Sequence, residues 1–283
     1  MRTYFDCLPC LMDQALRAAR LASDDEEKVK QVLDEVGLII RNTPMDRPPP
    51  ETAMAVYRKI REITGNLDPY RDLKNHSTRI ALGLYPTLKT KVNQSKDGLL
   101  AAIKIAIAGN VIDFGVNHIT DIDKKIAIIL AKDLALSDYD RFKEQLAITE
   151  DILYIGDNAG ESVFDRILIE ELNKQVTYVV RSAPVINDVT EADAVQAGLD
   201  TVATLMTSGT DAPGSVVRIC SPEFREKFYR SKFTISKGQG NFEALSDTSV
   251  PVFFLLIAKC PIVARDIGVH VGDMILKLSL IHI

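Results

Sequence analysis

Two polar clusters in the second half of the chain carry groups able to do chemistry. Gly156-Asp157-Asn158-Ala159-Gly160-Glu161 follows the apolar run Ile152-Leu153-Tyr154-Ile155, and Arg181 to Thr190 follows the β-branched run Val176 to Val180. If both runs are neighbouring parallel strands, Asp157, Asn158 and Asp188 converge beyond the strands' carboxyl ends, where open parallel sheets bind ligands. Two carboxylates and an amide oxygen make a hard donor set suited to Mg²⁺ or Mn²⁺ with waters completing the shell. Such an ion can polarise a phosphoryl group. The plainer alternative is that Asp, Asn and Gly after a strand only make turns and cap helices. Two clusters at successive strand ends, with Arg181 beside the second, weigh against it. Asp193 belongs to a capping box opened by Thr190, not to the metal set, and Glu161 suits either a first-turn acid or a support behind the donors.

A third cluster, Ser236-Lys237-Gly238-Gln239-Gly240-Asn241-Phe242-Glu243, combines glycines that let backbone N–H groups approach an anion with a lysine able to meet a phosphate. It is not a dinucleotide fingerprint. Glu243 stands where the third glycine belongs, and Pro251 arrives too soon for the crossover helix. No GxxxxGK[ST] or GxSxG occurs in the chain. Gly109-Asn110-Val111-Ile112-Asp113 ends a helix, and Asp113 is a candidate if it faces the crevice. Cys7 and Cys10 form one CxxC at the start of a helical region, which suits a pair of buried thiols as well as it suits a metal or redox role. The four histidines show no paired ligand spacing.

These clusters need a frame. Apolar residues at helical spacing mark helices over 8–21 and 29–36, and further helices over 50–64, 70–84, 98–108 and 123–134. After residue 150 short apolar runs alternate with amphipathic segments, with strands expected at 152–155, 176–180, 232–236, 252–257 and 274–278. Such alternation implies an α/β fold: a mostly parallel sheet in a three-layer, Rossmann-like α/β/α domain. The expected division is a helical subdomain over 1–95 and the α/β domain, carrying the metal site, over 96–283.

Composition narrows the function classes. In 283 residues, 34 Lys and Arg face 39 Asp and Glu, a net charge of -5 that argues against a nucleic-acid binder. The longest apolar stretch, Pro251 to Ala258, is too short to span a membrane, and the first residues lack the build of a signal peptide. A cytoplasmic protein is expected, and four scattered cysteines are expected to be reduced thiols.

Taken together, DNAGE at 157–161, INDVT at 186–190 and SKGQGNFE at 236–243 resemble the family called domain of unknown function 89. Its members are damage-control phosphatases related to acidic-residue methyltransferase-like proteins. The CxxC, GNVIDFG at 109–115 and AKCPIVA at 258–264 resemble its prokaryotic branch. The resemblance implies hydrolysis of small phosphate monoesters, sugar phosphates or damaged phosphorylated metabolites, with Mg²⁺, Mn²⁺, Co²⁺ or Ni²⁺. It implies Asp157, Asn158 and Asp188 as metal ligands, Lys237 as the phosphate-holding lysine, and Asn110 and Asp113 as pocket residues. Arg181, Gly238, Gly240 and Asn241 join the expected substrate site. Asp157 is expected to act at phosphorus directly or by positioning a water, with Asp113 as a possible base. Two rivals remain at this point: a carboxyl methyltransferase using S-adenosylmethionine, and a non-catalytic metal or metabolite binder.

Overall fold

The computed structural model describes residues 1–109 and 119–279. Three helices come first: α1 (Cys7–Ala22), α2 (Glu26–Arg41) and α3 (Pro49–Thr64). Asp25 caps α2 by accepting from Glu27 and Lys28 N–H, and α3 opens on two prolines and stops at Gly65, whose φ of +76° suits glycine. Their apolar stripes meet in one cluster around Ala15, Val32 and Val56.

Next come α4 (Arg71–Gln94), α5 (Gly98–Ala108), α6 (Ile119–Ala131), β1 (Leu136–Ser137), α7 (Tyr139–Ile148), β2 (Asp151–Ile155), α8 (Ser162–Leu172), β3 (Gln175–Val180), α9 (Glu191–Gln196) and β4 (Thr204–Thr207). The chain finishes with α10 (Pro222–Arg230), β5 (Thr234–Lys237), α11 (Gly238–Leu245), β6 (Val252–Ile257), α12 (Pro261–Ile267) and β7 (Met274–Leu278).

The seven strands form one sheet in the order β1-β7-β6-β5-β2-β3-β4. Pairs β2–β3, β3–β4, β2–β5, β5–β6 and β1–β7 are parallel; β6–β7 is antiparallel. The fold is therefore α/β with a mostly parallel sheet. Alternation divides the strand side chains between two cores. Ile152, Tyr154, Val176, Tyr178, Ile235 and Phe253 face α4, α5 and α8, whereas Leu153, Ile155, Val179, Phe254 and Leu256 face α10, α11 and α12. Helix α5 is apolar nearly all round because α4, α6, α8 and the sheet enclose it. Helix α4, on the N-terminal side of residue 95, packs on α8 and α5. The expected capping box forms: Asp193 Oδ2 accepts from Thr190 N at 2.9 Å, and Lys74 Nζ joins it at 3.0 Å.

Three expectations change. The helix begun near residue 70 runs on to Gln94. The edge strands β1 and β4 had no apolar run to announce them, one having two residues and the other the sequence TLMT. A crossover helix does fit before Pro251: the eight residues of α11 suffice to return the chain from β5 to parallel β6.

The three-helix unit is tied to the sheet domain by charge. Asp211, in the segment between β4 and α10, accepts from Arg58 Nη2 at 2.6 Å and from Arg61. Burial alone would raise the Asp211 carboxyl; the two guanidinium groups override it and hold the carboxyl below its usual value. A depressed folded-state value contributes stability that is complete above the ordinary carboxylate range and is lost as pH falls through the lower value. Asp211→Asn is expected to lower stability by about 1–2 kcal/mol at neutral pH. Urea melts repeated below about pH 4 should show the gap closing, and a constant gap would contradict this role.

Candidate functional site

The order β5-β2-β3 contains a topological switch point. From β2 the chain proceeds to β3 and β4 on one side, then returns to place β5 and β6 on the other. Loops leaving the carboxyl ends of β2 and β5 therefore part in opposite directions and open a crevice. Beyond β2 and β3 the loops remain zipped together. Gly156 N donates to Val179 O at 3.0 Å, Val189 N to Asp157 O at 2.8 Å, and Ala159 N to Asn187 O at 2.9 Å. Asn158 and Asp188 thus face each other as an antiparallel bridge. The turn that delivers Asp188 holds Ile186 at φ +45°, a backbone strain that β-branched residues rarely bear.

Asp157, Asn158 and Asp188 line one cavity of about 480 Å³, closed on its far side by α1 and α3. All three are buried. Arg181 Nε holds Asp188 Oδ2 at 2.7 Å, and its other nitrogens reach Ser215 Oγ at 3.0 Å and Asn241 Oδ1 at 3.1 Å. Asn241 in turn donates to Gly156 O at 3.0 Å and Lys237 O at 2.8 Å, tying β2 to α11. The Asn158 amide nitrogen donates to Asp157 Oδ2 at 3.1 Å and Glu161 Oε2 at 3.0 Å. Of the two amide atoms, the carbonyl oxygen is the one with the chemistry to ligate a cation.

Behind the donors lies a buried charge network. Lys237 Nζ donates to Ala106 O at 2.8 Å, Asp165 Oδ1 at 2.6 Å and Glu161 Oε1. Asp165 also accepts from Tyr154 OH at 2.7 Å and Tyr178 OH at 2.8 Å. Gly156 is required here, because a Cβ would stand 2.5 Å from the Tyr178 hydroxyl. Burial would lower the Lys237 ammonium, yet Asp165 and Glu161 override it and hold it above its ordinary value. Burial, with Asp188 adding to it, pushes Asp157 up to about 6. Glu161 is pushed up to about 7 by burial against the pull of Lys237, and burial raises Asp188 despite Arg181.

These buried groups have unequal charge. Asp157, Glu161, Asp165 and Asp188 carry four potential negative charges against the two positive charges of Lys237 and Arg181. A divalent cation among Asp157, Asn158 and Asp188 would supply the missing charge, so the residues present fit such an ion. Among the described residues no three His, Cys, Asp or Glu side chains form a metal cage; the candidate donors are two carboxylates and an amide.

The other expected site residues take different places. Lys237 is fully buried and absent from the cavity wall, its three ammonium donors occupied by Ala106, Glu161 and Asp165. Arg181 and Asn241 are struts beneath the wall. Gly238 lies behind Asp157, whereas Gly240 lines the cavity. Asn110 and Asp113 fall outside the described residues. Sequence reasoning missed Asp165, Tyr154, Tyr178 and the rim lysine, Lys259, whose charge favours the ionised forms of Asp157 and Asp188. Lys259 follows β6 just as Asp157 follows β2, and that position was the available signal. Cys7, Cys10 and Cys260 line the same cavity. Burial raises the Cys7 thiol, which favours its neutral form.

Fold and site together define an α/β protein with an oxygen-donor crevice at the sheet's switch point. The sequence model of the damage-control phosphatase ARMT1-like domain matches residues 3–275. A protein of Archaeoglobus fulgidus named damage-control phosphatase is 35% identical over 282 residues, covering 96% of this chain and 97% of that one. A damage-control phosphatase of Pyrococcus horikoshii is 33% identical, covering 97% of each chain. The crystal structure of a protein of the domain of unknown function 89 family from Pyrococcus horikoshii superposes with a TM-score of 0.92 at 32% identity, covering 99% of this chain and 100% of that one. This chain belongs to the damage-control phosphatase ARMT1-like family.

Gly238 supplies a test of the geometry. Its φ is +79°, and a Cβ would fall 1.9 Å from Asp157 Oδ2, inside the carboxylate. Gly238→Ala is expected to weaken Mn²⁺ binding at least about tenfold, near 1.4 kcal/mol, while circular dichroism shows the fold retained. Calorimetric titration with unchanged Mn²⁺ affinity would contradict the placement of Asp157.

Proposed function

We propose that this chain is a metal-dependent phosphatase that hydrolyses small phosphate monoesters. The observation that carries the reading is the meeting of Asp157, Asn158 and Asp188 on one cavity wall, in a buried site with an excess of negative charge. The names of the relatives from Archaeoglobus fulgidus and Pyrococcus horikoshii support it.

When bound, a divalent ion (Mg²⁺, Mn²⁺, Co²⁺ or Ni²⁺) neutralises charge on a phosphoryl oxygen. The chain's own residues do the positioning. Arg181 fixes Asp188, and Glu161 with Asp157 fixes the Asn158 amide. Lys259 at the cavity rim is the cation we assign to the phosphate, in place of Lys237, which holds Glu161 and Asp165 together. Asp157 stands at the reacting position, as nucleophile toward phosphorus or as acceptor of a proton from water. Gly240 brings the first turn of α11 to the cavity wall, where backbone N–H groups favour an anion. Asn110 and Asp113 follow directly on α5 and stay candidates for the pocket. In this reading the enzyme works on small cytoplasmic metabolites.

Phosphate release from an ester panel is expected to vanish with chelator and to return with Mn²⁺ or Co²⁺. Asp157→Ala should lose at least about 10³-fold in kcat/KM, about 4 kcal/mol of transition-state stabilisation. Lys259→Ala should act mainly by raising KM. Full activity of Asp157→Ala, or turnover unaffected by chelator, would overturn the reading.

A further inference from the structure

Hydrolysis of an ester makes no use of the CxxC. Cys7 and Cys10 are the first and fourth residues of α1, and both border the cavity. Residues three apart on a helix share a face, with Cα atoms about 5 Å apart, inside the range that a disulfide spans. The first turn is lightly held. Asp6 makes no side-chain cap bond and Pro9 has no N–H to pair, so the turn can tighten to bring the sulfurs together at little cost in backbone bonding. The other thiols are committed elsewhere. Cys260 Sγ caps α12 by accepting from Val263 N at 3.5 Å, and accepts from Gln239 Nε2 at 3.5 Å. Cys220 is buried and donates to Val216 O at 3.3 Å. Among the described residues the cysteines join no three-residue metal cage.

Exposure assigns the roles. Cys10 is exposed and Cys7 half-buried, so an oxidant from solution meets Cys10 first. We propose that Cys7 and Cys10 form a reversible oxidation site, a dithiol that a hydroperoxide converts into a disulfide on the cavity wall. The Cys10 thiolate attacks the terminal peroxide oxygen, the O–O bond breaks, and the departing alkoxide takes up a proton and leaves as alcohol. Cys7 sulfur then attacks the sulfenic sulfur of Cys10, and its proton leaves with the displaced hydroxide as water. Two thiols are oxidised, and one hydroperoxide is reduced to one alcohol and one water. The new bond reaches the donor wall by a short path. Cys10 Sγ accepts from Gln14 Nε2 at 3.1 Å, Gln14 Oε1 accepts from Tyr57 OH at 3.3 Å, and Tyr57 lies close enough to Asp188 to feel its charge. Turning Cys10 towards Cys7 removes the acceptor that holds Gln14 and loosens Tyr57 beside Asp188. Resting on the phosphatase reading, oxidation therefore slows turnover.

The disulfide is tested without reference to activity. Chelator-treated full chain is exposed to tert-butyl hydroperoxide, alkylated and mapped by mass spectrometry. The expected product is a peptide lighter by two hydrogens that joins Cys7 to Cys10, with Cys220 and Cys260 alkylated, and reduction should restore both thiols. Cys7→Ser should stop at the sulfenic acid of Cys10, trapped by dimedone, whereas Cys10→Ser should react at least about tenfold more slowly. A disulfide to Cys260, irreversible oxidation of Cys10 with no disulfide, or no loss of thiols overturns the site. After removal of the oxidant and loading with Mn²⁺, kcat/KM for p-nitrophenyl phosphate is expected to be at least about threefold lower in the oxidised chain and to recover on reduction. Turnover of Cys10→Ser should not respond to the same treatment. Equal turnover of the two forms overturns the effect on the site and leaves the phosphatase reading standing. No turnover in either form overturns the phosphatase reading, and the effect on turnover with it.

Discussion

The site depends on a short stretch of backbone pairing that continues past the end of the sheet. Strands β2 and β3 stop at Ile155 and Val180, yet the loops beyond them keep exchanging hydrogen bonds through Asp157, Asn187 and Val189. That pairing fixes the separation of Asp157, Asn158 and Asp188, which side-chain contacts alone would leave to rotamer freedom. Arg181 then locks Asp188 from beneath, and Asn241 transmits the same constraint to α11. Donor groups positioned by a rigid ladder keep their geometry when a ligand arrives.

Beneath this layer sits an arrangement that is expensive in an apolar core. Lys237, Glu161 and Asp165 are withdrawn from water and stable only because each charge has partners. The tyrosine pair on adjacent strands, stacked with ring centroids 5.3 Å apart, completes the set by donating both hydroxyls to Asp165. The layer is a pedestal: it orients Glu161, which orients the Asn158 amide. Glycines at 156 and 238 exist where the pedestal and the donor layer press on neighbouring backbone.

Much of this was legible in the residue order. The apolar runs at 152–155 and 176–180 and the polar clusters after them place Asp157, Asn158 and Asp188 at strand ends, and parallel neighbours bring them together. The seating of Lys237 was also written in the chain. Phe233 and Ile235 face the core under α5 and α8, and period-two alternation sends Lys237 to the same side, away from the cavity. Its chemical type suggests a phosphate, and its position in the strand places it in the interior. Lys259 and the cavity-lining thiols were harder to place. Their convergence depends on how α1, α3 and α12 pack around the sheet ends, and long-range packing has no local signature. Strand β4 escaped for a different reason: its half-exposed threonine-flanked sequence carries little apolar signal.

The outermost strands have a further effect, on the behaviour of whole molecules in concentrated solution. Among the described residues, one margin of the sheet is a two-residue stub and the other a four-residue strand ending in threonines. So little open backbone gives a stray polypeptide almost nothing to align with. The molecule thereby carries a built-in defence against the edge-to-edge stacking that leads sheets into fibrils.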